Sequence, residues 1–399
     1  DPEGGAYQIP TVLQLSGAID RDRMKKAFLL LAERHEALRT SFEQHDGEPC
    51  QRIHPEPVID WTEDDVAEDE SLNEAIRAFV RPFELRHAPL FRVGLFSESE
   101  QRNTLVFDIH HIIADGVSVN VLVHDFIRLY GGEELPPLTR QYKDYAVWLQ
   151  STEQKARIDE QLDWWMTRLA GPIPKLELHG DAARPAIKST AGSQLVVHLD
   201  KQQTSDLNRL AQRSGATLFM LLLSAYAVWL AKLSRQPEVV IGTPMAGRTN
   251  PDTESMVGVF VNALPIRIST ASNQAFPVLL EAVKAEVLGA LDRQEAPFEE
   301  LVERLQPARD MTRNPLFDAM FSMLNMAHAD LSASGVTIEP AAFDFGVSQF
   351  DIGLYVLEED TGLTITVQYA SAIYGEKTMR HWTNALRTLL LDIVRKPAA

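Results

Sequence analysis

Two neighbouring histidines, His110 and His111, are the residues of this sequence best suited to chemistry. Asp115 and Gly116 follow them after three intervening residues, so the run reads His-His-x-x-x-Asp-Gly. An imidazole has an ordinary pKa of about 6.5, which lets it take or give a proton near neutral pH. The pattern therefore predicts a reactive histidine in a short turn, with a carboxylate a few residues further along the chain.

The segments on either side of the turn predict how it is held. Apolar and other residues alternate over 104–109, which indicates a half-buried strand. Apolar residues recur at helical spacing over 117–130, and Gly131 and Gly132 are typical of a helix end. A core strand and a buried helix would together hold the turn rigidly.

Strand geometry separates the two histidines. Neighbours on an extended backbone point to opposite faces, so His110 and His111 cannot share one task. If the strand continues through them, His110 shares a face with Asp108 and His111 shares a face with Ile109. The turn can break this alternation, so spacing alone does not choose the reactive ring.

Several interpretations of the cluster stay open on spacing alone. Both histidines can be hydrogen-bonded structural residues at a strand end. A zinc site would need three or four converging ligands, and adjacent strand histidines splay apart, so we expect no metal. A charge relay through Asp115 would need a nucleophile at an elbow such as Gly-x-Ser-x-Gly, which the sequence lacks. A histidine that acts on the substrate's own nucleophile agrees better with the sequence than covalent catalysis does.

Composition narrows the choice of partners and of cellular compartment. The formal charge of −18 argues against nucleic acid or an anionic membrane as the main partner. Cys50 is the only cysteine, which excludes a disulfide framework and indicates a reducing, cytoplasmic setting. The apolar stretch 216–231 is too short to span a bilayer and predicts a buried core helix. No signal peptide is visible, and a chain that begins at Asp1 reads as a piece of something longer.

Length and element order predict two α+β lobes. A chain of 399 residues is long for one core. The segment 171–193 is rich in Gly, Pro and Ala and predicts a passage between an N-terminal lobe at 1–170 and a C-terminal lobe at 194–399. Antiparallel-looking strands with helices beside them favour α+β lobes over a doubly wound sheet.

Seven motifs in one order give the chain a family resemblance. It resembles a condensation domain of nonribosomal peptide synthetases, within the wider group of chloramphenicol-acetyltransferase-like acyltransferases. The motifs are RHEALRTSF at 34–42, HHIIADG at 110–116, YKDYAVW at 142–148, IGTPMAGR at 241–248, GVFVNALPIR at 258–267, RQEAPFEEL from 293 and RDMTRNPLFD from 309. The family's first motif is missing, and Ala263 stands where threonine is usual.

The resemblance implies a fold, a reaction and partners. The implied fold is two lobes meeting in a V, with the active site in a tunnel between them. A donor aminoacyl or peptidyl thioester would arrive on the 4'-phosphopantetheine arm of an upstream carrier protein. The amine of an aminoacyl thioester on a downstream carrier would attack it, and an adenylation domain would lie next in the chain. The resemblance implies that the domain itself binds no cofactor.

The resemblance also implies a role for each residue of the cluster. His111 is the catalytic residue, either as a base or as a group that orients the amine, and His110 is structural. Asp115 points away from the reaction and pairs with Arg248, which would come from the second lobe. Gly116 would use a backbone conformation closed to other residues and direct its N–H toward the oxyanion.

Other members of the same superfamily are alternatives. Epimerization domains and dual condensation–epimerization domains share the HHxxxDG signature. A non-catalytic relative that recruits another enzyme tends to lose the signature histidines, which this chain keeps. Heterocyclization domains carry aspartates in place of the histidines, and a stand-alone coenzyme-A acyltransferase would not be expected to match all seven motifs.

Overall fold

A strand, a tight turn and a helix hold the two histidines, as the alternating and helical spacings predict. Strand β6 (Arg102–His110) ends on the first histidine, and helix α3 (Gly116–Tyr130) begins directly after the turn. The computed structural model describes residues 7–66, 69–270, 275–324 and 332–396. The ends of the two expected lobes, at residues 1 and 399, lie outside these described residues.

The chain divides into two units, and three stretches of sequence form the first. Unit one consists of Asp1–Ser151, Arg248–Val261 and Ala327–Phe345, and unit two contains the rest. The composition of the segment 171–193 predicts one division there, whereas the first division falls after Ser151. Two later segments return to unit one. Arg248–Val261 supplies a loop that contacts Asp115 of the histidine turn, and Ala327–Phe345 supplies two strands of the sheet.

Unit one is built on a six-stranded mixed sheet. Its strands, in spatial order, are β11 (Ser332–Ala333), β12 (Val336–Pro340), β1 (Gln8–Ser16), β6, β5 (Phe91–Ser99) and β4 (Asp60–Asp65). Neighbours are antiparallel except for β4 and β5, which are parallel. A separate hairpin joins β2 (Thr40–His45) to β3 (Glu48–Ile53). The described helices of this unit are α1 (Arg21–Arg34), α2 (Asp69–Phe79), α3 and α4 (Tyr142–Leu149).

The two faces of this sheet bury different side chains. On one face, Phe107 and Ile109 of β6 pack with Phe28 of α1 and Phe126 of α3. On the other face, Val106 of β6 joins a smaller cluster that includes residues of α2. Because both faces are covered, β6 is a central, buried strand, and its end is a rigid place for the turn.

Unit two has a second six-stranded mixed sheet. Its strands, in spatial order, are β7 (Gly192–Asp200), β14 (Gly362–Ala370), β13 (Ile352–Glu359), β10 (Ala319–Leu324), β8 (Glu238–Met245) and β9 (Asn262–Ser269). Strand β10 runs parallel to both of its neighbours, and the other pairs are antiparallel. The described helices are α5 (Thr152–Arg168), α6 (Lys201–Arg213), α7 (Leu218–Ser234), α8 (Phe276–Leu291), α9 (Phe298–Leu305) and α10 (Glu376–Arg395).

Helix α7 contains most of the apolar stretch at 216–231. Leu221, Leu223 and Tyr226 are fully buried in unit two, so the prediction of a buried core helix is confirmed. In the part of the chain that the structure describes, no single helix combines the length and the apolar composition needed to cross a bilayer.

Candidate active site

Backbone hydrogen bonds fix both ends of the histidine turn. The His110 N–H donates to the Leu90 carbonyl over 3.0 Å, and the His111 N–H donates to the Tyr7 carbonyl over 2.7 Å. The Ile113 N–H then donates to the His110 carbonyl over 3.1 Å and closes the turn. The backbone of both histidines is therefore tied to neighbouring segments of unit one.

The ring of His110 is part of the turn's own hydrogen bonding. Its Nδ1 accepts the Ile112 N–H over 3.0 Å, so this nitrogen carries no proton and the neutral ring has its proton on Nε2. Burial, followed by the charge of neighbouring His111, lowers the pKa of His110 below its ordinary value. The ring of His110 is therefore partly buried and engaged within the turn.

The ring of His111 is available. It is half-buried, and within residues 7–66, 69–270, 275–324 and 332–396 it makes no side-chain hydrogen bond or ion pair. The hydrogen bond that fixes its backbone is made by the peptide N–H, so neither ring nitrogen is engaged by these residues. Of the two histidines, only His111 has this property.

Asp115 uses both of its carboxylate oxygens within unit one. Its Oδ1 accepts the Ser118 N–H and hydroxyl, each over 2.8 Å, and lies 3.2 Å from Arg248 Nη2. Its Oδ2 accepts the N–H groups of Phe260 over 2.9 Å and Val261 over 3.2 Å. The side chain is buried, and neither histidine ring is among its partners. A charge relay through this carboxylate therefore has no contact to carry it.

Arg248 makes the expected ion pair with Asp115, at 3.2 Å, and both side chains are almost fully buried. Its Nη2 also donates to the Ser118 hydroxyl over 2.9 Å, and its Nη1 donates to the carbonyls of Thr253 and Met256. The expectation that this pair joins two lobes is wrong, because Arg248–Val261 belongs to unit one. The pair instead anchors a returning segment inside the unit that holds the histidines.

Gly116 differs from its expected conformation. It is not among the glycines with a positive φ, and it is simply the first residue of α3. A Cβ added to it would meet no atom within 4 Å. The expectation of a backbone conformation closed to other residues is therefore wrong, since an L-residue can adopt this one. The position at the start of a helix still leaves its N–H outside the intrahelical ladder.

Comparison with known proteins identifies the family. The family model described as "Condensation domain" matches residues 1–399. The chain belongs to the condensation domain family. A plipastatin synthase of Bacillus subtilis (strain 168) is 41% identical over 395 residues, which are 98% of this chain and 15% of that protein. Tyrocidine synthase 2 of Brevibacillus parabrevis is 41% identical over 379 residues, which are 95% of this chain and 10% of that protein. The domain thus spans a small part of the curated relatives that it matches.

Solved structures give the same result for the fold. The X-domain from teicoplanin biosynthesis has a TM-score of 0.89 and 25% identity, covering 99% of this chain and 92% of that one. A four-domain nonribosomal peptide synthetase, holo-AB3403 bound to AMP and glycine, has a TM-score of 0.90 and 23% identity, covering 99% of this chain and 32% of that one. The α+β fold of two chloramphenicol-acetyltransferase-like lobes is thereby confirmed.

Ser118 is a residue of this condensation domain whose contacts the sequence motifs do not predict. Its hydroxyl oxygen lies 2.8 Å from the Gly258 carbonyl and 3.1 Å from the Gly258 N–H. It also contacts Asp115 and Arg248, so it links the start of α3 to the returning segment. The sequence feature that indicates this contact is the Asp-x-x-Ser spacing at 115–118. The side chain of an N-cap aspartate typically accepts the backbone N–H of the residue three positions later.

Tyr142, at the start of the YKDYAVW motif, clamps the same returning segment. Its hydroxyl donates to the Val259 carbonyl over 2.9 Å. A Cβ on Gly258 would lie 2.0 Å from the Tyr142 ring, so only glycine allows this approach. The ring also packs edge-on against Phe260 at 5.3 Å, and the guanidinium carbon of Arg248 lies 4.1 Å from the centre of the Phe260 ring. The motif therefore positions the loop that supplies two hydrogen bonds to Asp115.

Among the described residues, no group of three or more His, Cys, Asp or Glu side chains is placed to hold a metal ion.

Proposed function

We propose that this domain forms peptide bonds between a donor aminoacyl or peptidyl thioester and the amine of an acceptor aminoacyl thioester. The observation that carries the proposal is the half-buried, hydrogen-bond-free ring of His111 on a turn that other residues fix. The family supports it, because condensation domains of nonribosomal peptide synthetases form amides. Both thioesters would be held on the 4'-phosphopantetheine arms of carrier proteins, upstream and downstream.

The chemistry needs little from the protein beyond position and one proton transfer. A thioester is already activated, so holding the amine next to its carbonyl carbon provides much of the acceleration. The amine nitrogen forms a bond to that carbon, the carbon–sulfur bond breaks, and the thiolate leaves. His111 takes the proton that the amine loses, and the thiolate is protonated afterwards. Such proton transfer typically contributes about 10² to 10⁴ in rate.

The remaining residues of the cluster have supporting roles in this proposal. His110 holds the turn through the Ile112 N–H. Asp115 and Arg248 fix the start of α3, and the Gly116 N–H at that helix end faces no intrahelical carbonyl. We place the domain in the cytoplasm next to an adenylation domain, with no nucleic acid or membrane as a partner.

A reaction with loaded carriers tests the role of His111. Dipeptidyl-thioester formation is followed by intact-protein mass spectrometry with the native domain and with His111→Ala. We expect the variant's rate to fall about 10² to 10⁴-fold. His124→Ala, which removes an exposed histidine of α3, is the matched control and should react at the native rate. Equal rates for native and His111→Ala domains would remove His111 from the mechanism.

The same assay separates the alternatives. The domain is incubated with the loaded donor carrier alone in deuterated buffer. If the domain only condenses, the hydrogen on the donor's Cα is not exchanged for deuterium. Exchange at that carbon would indicate an epimerization or dual function. The absence of product with every loaded pair would favour a non-catalytic recruiting domain.

A further inference from the structure

A buried ion pair lies on β6 just before the histidines, and the proposed mechanism does not use it. Asp108 of β6 stands opposite Arg92 of β5 in the strand register. Both residues are almost fully buried, and Arg92 Nη1 lies 3.4 Å from Asp108 Oδ2. The side chain of Asp108 points to the same face of the strand as that of His110, two residues later.

Arg92 also holds the segment that leaves helix α2. Its Nη1 donates to the carbonyls of Phe79, over 3.3 Å, and Arg81, and its Nη2 donates to the Pro82 carbonyl over 3.5 Å. Three carbonyls in four residues thus converge on one guanidinium. The planar guanidinium of an arginine has several N–H donors in a fixed arrangement and can bind three carbonyls at once. The ammonium of a lysine is a single point charge and is not suited to this contact.

The next residue of that segment, Phe83, lies between Arg92 and the first histidine. The guanidinium carbon of Arg92 is 3.7 Å from the centre of the Phe83 ring. The same ring meets His110 nearly edge-on, with ring centres 6.2 Å apart and planes at 77°. Arg92, Phe83 and His110 therefore form a continuous row of contacts that starts at the buried carboxylate of Asp108.

Gln8 of β1 is a further polar residue in contact with Asp108. It stands opposite His110 in the strand register, and its Nε2 donates to Asp108 Oδ2 and to the Arg81 carbonyl, both over 2.7 Å. Among the described residues, Asp108 Oδ1 has no hydrogen-bond partner. Burial raises the pKa of Asp108 to about 7, against the opposing effects of Arg92, Gln8 and Arg81. Burial of this polar cluster carries a desolvation cost that its hydrogen bonds offset only in part.

We infer that Arg92 and Phe83 are positioning residues for the condensation reaction. Arg92 fixes the segment 79–83 so that Phe83 holds the His110 ring in the orientation that accepts the Ile112 N–H. That hydrogen bond sets the turn on which His111 stands. The effect on rate rests on the proposed function, whereas the effect on the His110 ring does not.

The physical reason is that the His110 ring has a second orientation and a second charge state, and neither preserves the turn. A ring flip would place a carbon where Nδ1 now accepts the Ile112 N–H. A protonated ring would place an N–H opposite that N–H, two donors facing each other. Packing by Phe83 opposes the flip, and burial of the ring, followed by the charge of His111, opposes its protonation.

Three variants of the full domain test the inference. Phe83→Leu removes the ring, and Phe83→Tyr keeps it. Phe321→Leu is the matched control, because Phe321 is a fully buried aromatic residue of unit two whose ring contacts Phe219 and Tyr226 and no residue of the segment 79–83. The ring nitrogens of His110 are observed by ¹⁵N NMR as a function of pH, with His110→Gln to assign the signals, and dipeptide formation is measured on each variant.

The native domain and Phe83→Tyr should show His110 with Nδ1 unprotonated, and with a titration midpoint below that of an exposed histidine. In Phe83→Leu the midpoint should rise, and the rate constant should fall about 10- to 100-fold, since small misplacements of catalytic groups have effects of this size. Phe321→Leu should keep the native His110 signals even if it melts at a lower temperature. Native His110 signals in Phe83→Leu, or an equal loss of rate in Phe321→Leu, would overturn the inference.

The two measurements also separate this inference from the proposed function. If the native domain formed no dipeptide but Phe83→Leu still shifted the His110 signals, the proposed reaction would be wrong and the positioning of His110 would stand. If the native domain condensed normally and Phe83→Leu changed neither the signals nor the rate, the reverse would hold.

Discussion

Replacing Asp115 with asparagine should destabilise unit one strongly, although the two side chains have nearly the same shape. The carboxylate accepts hydrogen bonds at both oxygens, from Ser118 and Arg248 at Oδ1 and from the N–H groups of Phe260 and Val261 at Oδ2. An asparagine has one oxygen and one NH₂ group. Whichever way it is placed, at least two buried donors face another donor.

The expected magnitude follows from the groups left without an acceptor. Each buried donor that loses its acceptor costs about 1–3 kcal/mol. Removing one charge of a buried ion pair costs about 3–5 kcal/mol, and this includes some of the same contacts, so the two effects do not add fully. We therefore expect Asp115→Asn to lower the free energy of unfolding by about 3–5 kcal/mol, a large part of the stability typical of a domain.

Urea unfolding followed by circular dichroism measures the loss, and hydrogen exchange of residues 257–261 locates it. Those amides should exchange faster in the variant, because the loop loses the acceptor for two of its N–H groups. Asp65→Asn is the matched control: Asp65 is an exposed carboxylate of the same unit that lies 3.3 Å from Arg21. An exposed pair of this kind contributes about 1 kcal/mol or less.

Unfolding of Asp115→Asn at the same urea concentration as Asp65→Asn would refute the reasoning. Native exchange rates at 257–261 would refute it equally, since the carboxylate would then not be what holds that loop.

Three further predictions use the same unfolding measurements. Gly258→Ala should lose about 1–3 kcal/mol because its Cβ would overlap the Tyr142 ring at 2.0 Å, whereas Gly116→Ala, with no atom within 4 Å of its Cβ, should unfold like the native domain; equal losses would contradict the packing. The folded Asp108 binds its proton more tightly than the unfolded residue, with a pKa raised from 3.8 to about 7, so its contribution to stability falls as pH rises from about 4 to 7. Asp108→Asn should therefore gain stability relative to the native domain over that pH range, and a constant difference would show that the carboxyl is ionised throughout. Arg248→Lys keeps the charge but loses the two-armed contact with carbonyl and carboxylate, so its melting temperature and its rate of dipeptide formation should both fall; a loss of rate at the native melting temperature would contradict a structural pair.

Local sequence patterns predicted the strand and the helix that flank the histidine turn, because such patterns depend only on neighbours in sequence. The alternation over 104–109 and the helical spacing over 117–130 fall within β6 and α3. Different roles for His110, His111 and Asp115 could be predicted only from strand geometry and from the family pattern. The structure adds that Nδ1 of His110 is occupied and that the ring of His111 is not.

Contacts between distant parts of the chain were beyond such patterns. The Ser118 hydroxyl meets Gly258 across 140 residues, and nothing near either residue in sequence signals the other. Arg92 meets Asp108 only because β5 and β6 pair in one particular register. The membership of Arg248 in unit one likewise depends on where a long connection returns, which composition does not encode.

The pairing of β12 with β1 has a consequence for folding during synthesis and for the design of truncated fragments. Strand β1 lies between β6 and β12, and β12 is formed by residues 336–340. A ribosome that adds about 5–20 residues per second would reach β12 roughly 10–40 s after Ser151, and until then the outer edge of β1 lacks its partner. An unpaired edge is a template for association with other chains. A fragment that stops at Ser151 keeps that edge open permanently, so a fragment intended to contain the whole of unit one must extend at least through Phe345.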